Sequence, residues 1–203
     1  MNNWMRLTHM ILGWGGVGLI YSATGSLQGQ GTILPETALD RMIPYDPNGI
    51  WLYLVFFVLV PYAYFNIDAD RVRWLMRSML VCAAFSGVIF MVYPSTLHYP
   101  PVGGVGASER LLSFLLSIDT EQNCLPSLHG ALTLLCVWAL WDSRKPVRTL
   151  SAVLLGVGIG YAIIQLRRHV SIDLSAGILI GLISGWLCNR SLHILRRPQV
   201  RTL

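Results

Sequence analysis

Six apolar stretches, most of them close to the length that crosses the roughly 30 Å hydrocarbon core of a bilayer, decide what this chain can become. They fall at about 9–26, 49–67, 74–93, 127–141, 148–166 and 171–189. In hydrocarbon every backbone N–H and C=O must be satisfied within the protein, and a helix does this locally. The sequence therefore predicts an all-α, integral-membrane bundle of six transmembrane helices. The fourth stretch is short and is expected to extend a turn past its apolar residues. Charged residues make up 12% of the chain, about half the share found in a soluble domain, so a water-soluble enzyme with an apolar core is the weaker alternative. No linker, low-complexity tract or repeat divides the sequence, and residues 1–203 read as one domain.

Glycines crowd the first stretch at Gly13, Gly15, Gly16 and Gly18, and recur as Gly156, Gly158 and Gly160 and as the row Gly177, Gly181 and Gly185. Small residues at such spacing let helices approach closely in lipid. This favours an uncleaved first span over a signal peptide ending near Ser22-Ala23-Thr24.

Charge gives an expected orientation. Six spans put the N-terminus, the second and fourth loops and the C-terminus on one side. That side holds eleven basic residues: Arg6, Arg71, Arg73, Arg77, Arg144, Lys145, Arg148, Arg190, Arg196, Arg197 and Arg201. The other holds four: Arg41, Arg110, Arg167 and Arg168. The positive-inside rule then makes both termini cytoplasmic, in a cell (inner) membrane. The net charge of +5 follows from this topology and calls for membrane lipids as partners, the basic tail included, and no nucleic acid. Trp51, Tyr53, Trp74, Tyr93, Trp141 and Trp186 read as interfacial anchors. Cys82, Cys136 and Cys188 read as packing residues, and Cys124 has no evident disulfide partner or zinc-type spacing around it.

On the expected extracytoplasmic side lie two histidine segments, Pro126-Ser127-Leu128-His129 and His169-Val170-Ser171-Ile172-Asp173. Ser127 suits the N-cap of the fourth span, whose first-turn N–H groups and helix dipole form an anion site. His129, just inside that helix, can donate a proton to a departing alkoxide. If the sixth helix begins near Arg168, His169 and Asp173 share one face. The carboxylate would then fix the imidazole tautomer and leave the other ring nitrogen as a nucleophile. Arg167 and Arg168 can neutralise phosphoryl oxygens, or serve only as surface anchors. Either histidine alone could be a simple interfacial residue, and Asp173 a simple helix-terminal charge. Together, at this spacing and on one side, they point to phosphoryl transfer on a lipid phosphate.

Pro-Ser-x-His followed some forty residues later by His-x-x-x-Asp in a six-span chain resembles the membrane-bound type 2 phosphatidic acid phosphatase superfamily. Leu128, where many members carry glycine, is similar to the inositol phosphorylceramide synthase-like branch. The resemblance runs from the second span to about residue 185. It implies a six-helix bundle and a phosphohistidine mechanism needing no metal or cofactor. By that resemblance His169 is the nucleophile, Asp173 its orienting partner and His129 the proton donor, while Ser127 and the nearby backbone, Gly130 included, bind the phosphoryl oxygens. Two features of many members are missing. Residues 93–101 hold no Lys or Arg where a Lys/Arg phosphate motif is usual, and Ala162-Ile163 stands where Ser-Arg is usual. Arg167 or Arg168 is expected to substitute, with His98 a weaker contributor.

The expected activity is that of an integral-membrane lipid phosphate phosphatase, on a substrate of the undecaprenyl diphosphate, phosphatidylglycerol phosphate or phosphatidic acid type. A lipid headgroup phosphotransferase, or a non-catalytic transporter or scaffold, is the alternative. The outer loops are expected to matter less. Residues 94–126, with Gly103-Gly104-Val105-Gly106, read as a mobile lid or headgroup loop, and residues 27–48 as a segment that lies in the interface and covers the site. His9 and His193 have no expected role.

Overall fold

The computed structural model describes the backbone of residues 1–195 and the side chains through residue 189. Arg190, Arg196, Arg197 and Arg201, part of the expected charge pattern, and His193, which had no expected role, lie outside the described side chains. The chain is mostly helical. Five helices are long and apolar enough to cross a membrane. They are α1 (Asn3–Leu27, with a π turn at Ile11–Gly15), α3 (Ile50–Asn66, led in by a 3₁₀ turn at Pro47–Gly49), α4 (Ala69–Val92), α7 (Pro146–Gln165) and α8 (Ser171–Leu195). Between α1 and α3 lies the single turn of α2 (Ala38–Met42); between α4 and α7 lie α5 (Ala107–Ile118) and α6 (Leu128–Leu140).

The fourth apolar stretch departs from expectation. Helix α6 has 13 residues, about 20 Å at 1.5 Å per residue, and gains no extra turn. Ser127 caps its start, and Trp141 turns extended at its end. The helix can be short because it is enclosed: Ala131, Leu132, Leu135, Cys136, Ala139 and Leu140 are all buried, between α3, α4, α7 and α8.

Close approach between α6 and α8 rests on the glycine row. A Cβ on Gly177 would overlap the Ser127 carbonyl oxygen, one on Gly181 would come within 3.0 Å of the Ala131 oxygen, and one on Gly185 within 2.6 Å of Trp138. Gly13 and Gly16 play the same part for α1, against Tyr64 and Leu80. Gly177→Val is therefore expected to cost about 3 kcal/mol or more, because the clash is with backbone that cannot rotate away. Gly15→Ala, at a position facing little but its own helix, should cost far less. Thermal unfolding in detergent measures both.

Basic residues gather at one end. Arg6 Nη1 donates to the carbonyls of Tyr64 and Ile67, each at 2.7 Å, and Arg148 Nη1 to that of Asn66 at 2.7 Å. Arg71 caps α6 through the carbonyls of Ala139 and Trp141. Cations thus meet the C-terminal carbonyls of α3 and α6, where helix dipoles favour them. Both histidine segments sit at the opposite end, joined by a hydrogen bond of 2.9 Å from Ser127 N to Asp173 O.

The loops at that end are built. Thr32–Ile33 (β1) pairs in parallel with Ser95–Thr96 (β2). In the segment read as a mobile lid, α5 buries Leu112 and Leu115 and exposes Phe114 and Ile118. Helix α2 opens with a capping box in which the side chains of Thr37 and Asp40 each take the other's backbone N–H. Asp40, fully buried, also accepts from Ser171 N at 2.7 Å and Ser171 Oγ at 3.0 Å. Burial raises the Asp40 pKa, but the bonds from Thr37 and Ser171 outweigh it and hold the carboxyl below its ordinary range. The segment therefore clamps the start of α8 through Ser171.

Of the aromatics expected as interfacial anchors, Trp51, Tyr93, Trp141 and Trp186 are exposed and two others are not. Tyr53 is 1% exposed, and Trp74 is buried with its Nε1 donating to Gly185 O at 2.9 Å.

Candidate functional site

Ser127 does what its position predicts. Its Oγ accepts the Gly130 N–H at 3.2 Å, and its carbonyl accepts from Ala131 N at 3.1 Å. The Gly130 N–H, expected to meet a phosphoryl oxygen, is thus already taken, and the residue is glycine because a Cβ would press on Leu174.

His129 projects from the first turn of α6 towards α3. Its Nε2 shares a hydrogen bond of 2.8 Å with Tyr53 Oη, and its ring packs at 4.9 Å from that of Phe56. With Nε2 engaged, Nδ1 is the nitrogen free to exchange a proton. The His169 ring lies 5.7 Å from that of His129, centroid to centroid.

Helix α8 begins at Ser171 rather than near Arg168, so His169 precedes it. Arg167, at a positive φ of 53°, reverses the chain there, and the turn is held by Arg168 N and His169 N on Ile163 O at 3.1 and 3.4 Å. Asp173 reaches back across the first turn. Its Oδ2 meets His169 Nδ1 at 2.8 Å, and its Oδ1 accepts the Val170 N–H at 2.8 Å. A fully buried carboxylate therefore has both oxygens in use. It places the proton of His169 on Nδ1 and leaves the lone pair on Nε2.

The two adjacent arginines part company. Arg167 is tied to the first outer loop: Nε lies 3.2 Å from Glu36 Oε1, and Nη2 donates to Ile43 O at 2.8 Å. Arg168 is 6% exposed and turns inward. Its Nη2 donates to Asp119 Oδ2 at 2.9 Å, its guanidinium lies 4.7 Å over the Tyr99 ring, and its Nε is buried without a partner. His98 lines a separate cavity with Glu36, Arg167 and Val170. Cys124 is buried beside Tyr99, and burial pushes its thiol up to about 12, so it is no nucleophile.

Asp119 is the member that sequence reasoning passed over. One oxygen takes Arg168, and the other accepts from Tyr21 Oη at 2.9 Å. Burial works to raise its pKa; the charges of Arg168 and His129 and the Tyr21 bond outweigh that and keep it below the usual carboxylate range. Asp119 and His129 stand in the wall of one groove of about 220 Å³. The rest of the groove is mainly apolar, with Trp14 and Val17 from α1, Phe56 and Phe57 from α3 and Ile118 from α5.

Tyr53→Phe removes the bond to His129 with almost no change of shape. It is expected to lower turnover about tenfold, the worth of one hydrogen bond of roughly 1.4 kcal/mol, while leaving the thermal midpoint within a few degrees. Among the described residues, no cluster of three or more His, Cys, Asp or Glu could hold a metal ion. No family model matches the chain, and no curated protein matches it.

Proposed function

We propose that this chain is an integral-membrane enzyme that cleaves a phosphate ester of a membrane lipid through a phosphohistidine at His169. The observation that carries the reading is the His169–Asp173 hydrogen bond, opposed by His129 at a ring separation of 5.7 Å, with His129 in the wall of a mainly apolar groove. His169 Nε2 attacks phosphorus, forming the P–N bond as the P–O bond to the lipid alcohol breaks. His129 gives its proton to the departing oxygen. Water then attacks the phosphohistidine, passes a proton to His129 and restores His169. Arg168, with its unpartnered Nε, and Ser127 would receive the phosphoryl oxygens. The likeness of both motifs to the type 2 phosphatidic acid phosphatase superfamily supports this assignment. The same reading takes α6 as the sixth member of a six-helix membrane bundle, with both termini cytoplasmic and the histidines on the extracytoplasmic side. The gathering of Arg6, Arg71 and Arg148 at the opposite end favours that orientation.

The second reading ends the reaction with a lipid or polyol hydroxyl instead of water, giving a headgroup phosphotransferase. It is favoured by the scarcity of free cations at the site, since Arg168, the one buried arginine among the described residues, is already paired with Asp119. The test is product analysis on purified protein in detergent, with EDTA present, over a panel of lipid phosphates with and without alcohol acceptors. Release of inorganic phosphate without acceptor supports the hydrolase; products only with acceptor support the transferase. Failure of both, with a histidine variant that behaves like the parent in cells, would make the chain a transporter or scaffold.

A further inference from the structure

Arg167 and His98 take no part in the histidine pair. With Glu36 they form the polar lining of a separate cavity of about 370 Å³, whose apolar lining includes Leu34, Leu97 and Val170. That volume falls within the range of small-molecule sites, roughly 300–1,000 Å³. The parallel pairing of β1 with β2 builds it. Leu34 N donates to Thr96 O at 2.9 Å, so the residues that follow the two strands stand side by side. Val170, next in the chain to His169, joins the cavity to the histidine end.

The charges in this lining already cancel. Arg167 Nε lies 3.2 Å from Glu36 Oε1, and its Nη1 and Nη2 donate to the carbonyls of Ile164 and Ile43. A guanidinium carries five N–H groups, so one on each Nη remains. Glu36 keeps its second oxygen, Oε2, as an acceptor. His98 is exposed and has no hydrogen-bond partner among the described residues. An anionic ligand would meet the Glu36 carboxylate, and a cationic one the Arg167 guanidinium, each beside its like charge. A hydroxyl meets neither obstacle, because it donates to a carboxylate and accepts from a guanidinium at once. Adjacent hydroxyls on a ring satisfy the pair together, while the ring C–H groups suit Leu34, Leu97 and Val170.

We propose that the cavity bounded by Glu36, His98 and Arg167 is a binding site for a neutral pyranose sugar, either free or carried as the headgroup of a lipid. Glu36 and Arg167 hold a vicinal pair of hydroxyls, and His98 takes a third from the open side. The site does not depend on attack at phosphorus by His169, and its loss would leave that assignment standing.

The test is saturation-transfer NMR on the full chain, in a detergent without a sugar headgroup, with three probes built on one ring. Glucose, glucuronate and glucosamine are neutral, anionic and cationic at about pH 6.5, where a carboxyl and an amine of ordinary pKa are both ionised. Glucose should bind saturably with a Kd of about 1–10 mM, the strength open to so small a ligand. Each charged ring should bind at least about fivefold more weakly. Glu36→Gln leaves Arg167 unmatched, so it should weaken glucose and reverse the order, with glucuronate about fivefold the tighter. His98→Ala should weaken glucose about threefold or more, the worth of one hydrogen bond, with the thermal midpoint unchanged. Octyl glucoside added to the micelles separates the two sources. Displacement of glucose by it marks a headgroup held from the membrane, and failure to displace marks a free sugar. Glucose that does not saturate by about 100 mM, or a charged ring that binds the parent protein better, overturns the proposal. So do Glu36→Gln and His98→Ala variants that bind glucose as the parent does. Should Glu36→Gln fail to fold, His98→Ala decides on its own.

Discussion

His169→Ala is expected to abolish turnover of lipid phosphate, by about 10⁴-fold or more, because no other side chain at the site can take the phosphoryl group. His129 has its Nε2 on Tyr53, Cys124 is a buried thiol pushed up to about 12, and Ser127 Oγ is held as an N-cap. The substitution also removes one of the two partners of a fully buried carboxylate, which costs about 1–3 kcal/mol of stability. Loss of activity therefore needs a control that keeps the charge satisfied. His169→Asn restores an N–H donor near Asp173 without a nucleophilic nitrogen. It should recover most of the thermal midpoint and none of the activity. Acid-labile phosphate on the parent protein, absent from both variants, would identify the intermediate directly. Turnover in His169→Asn within tenfold of the parent would refute the assignment.

The membrane helices were legible because one property, length of apolar run, carries the information. Helices α3 and α7 lie within two residues of the expected spans, whereas α1 starts six residues earlier, α4 five earlier, and α8 runs six further. Helix α5 was hidden because it is only amphipathic: Leu112 and Leu115 face inward while Ser113, Ser117 and Glu109 interrupt the run, and a glycine-rich approach reads as loop. The T-x-x-D pattern from Thr37 to Asp40 is a helix-start signal that went unread. What the sequence lacked was the partner of Asp40, since Ser171 is 131 residues away.

The same distinction divides the site. His169 and Asp173 are four residues apart, so the reading of their pairing survived the later start of α8. Tyr53 meets His129 across 76 residues, from within an aromatic run, Trp51 to Phe57, that looks like an interfacial belt. Arg167 and Arg168 are equivalent in sequence and separated only by a positive φ that sends one to Glu36 and the other to Asp119. Asp119 sits in no motif of the sequence, and its place at the site shows only in its two oxygens, one on Arg168 and one on Tyr21.

Asp173→Asn should reduce turnover by about 10³–10⁴-fold with the backbone of α8 in place. The argument lies in the two bonds of the carboxylate. Oδ2 accepts from His169 Nδ1 and Oδ1 from Val170 N, both at 2.8 Å, so the group must accept twice. An asparagine accepts once. If its oxygen stays on Val170 N, its NH₂ faces His169, which must then put its proton on Nε2 and lose the lone pair that attacks phosphorus. If its oxygen turns to His169, the NH₂ opposes the Val170 N–H at the start of α8, leaving that donor buried and unmet at about 1–3 kcal/mol. Either way the negative charge that would stabilise the imidazolium form of His169 is gone. The two arrangements give different readouts. The first keeps the thermal midpoint and lowers kcat with little change in KM, and the second lowers the midpoint as well. A variant retaining turnover within tenfold of the parent would show that Asp173 serves only to cap α8, and would leave His169 without an orienting base.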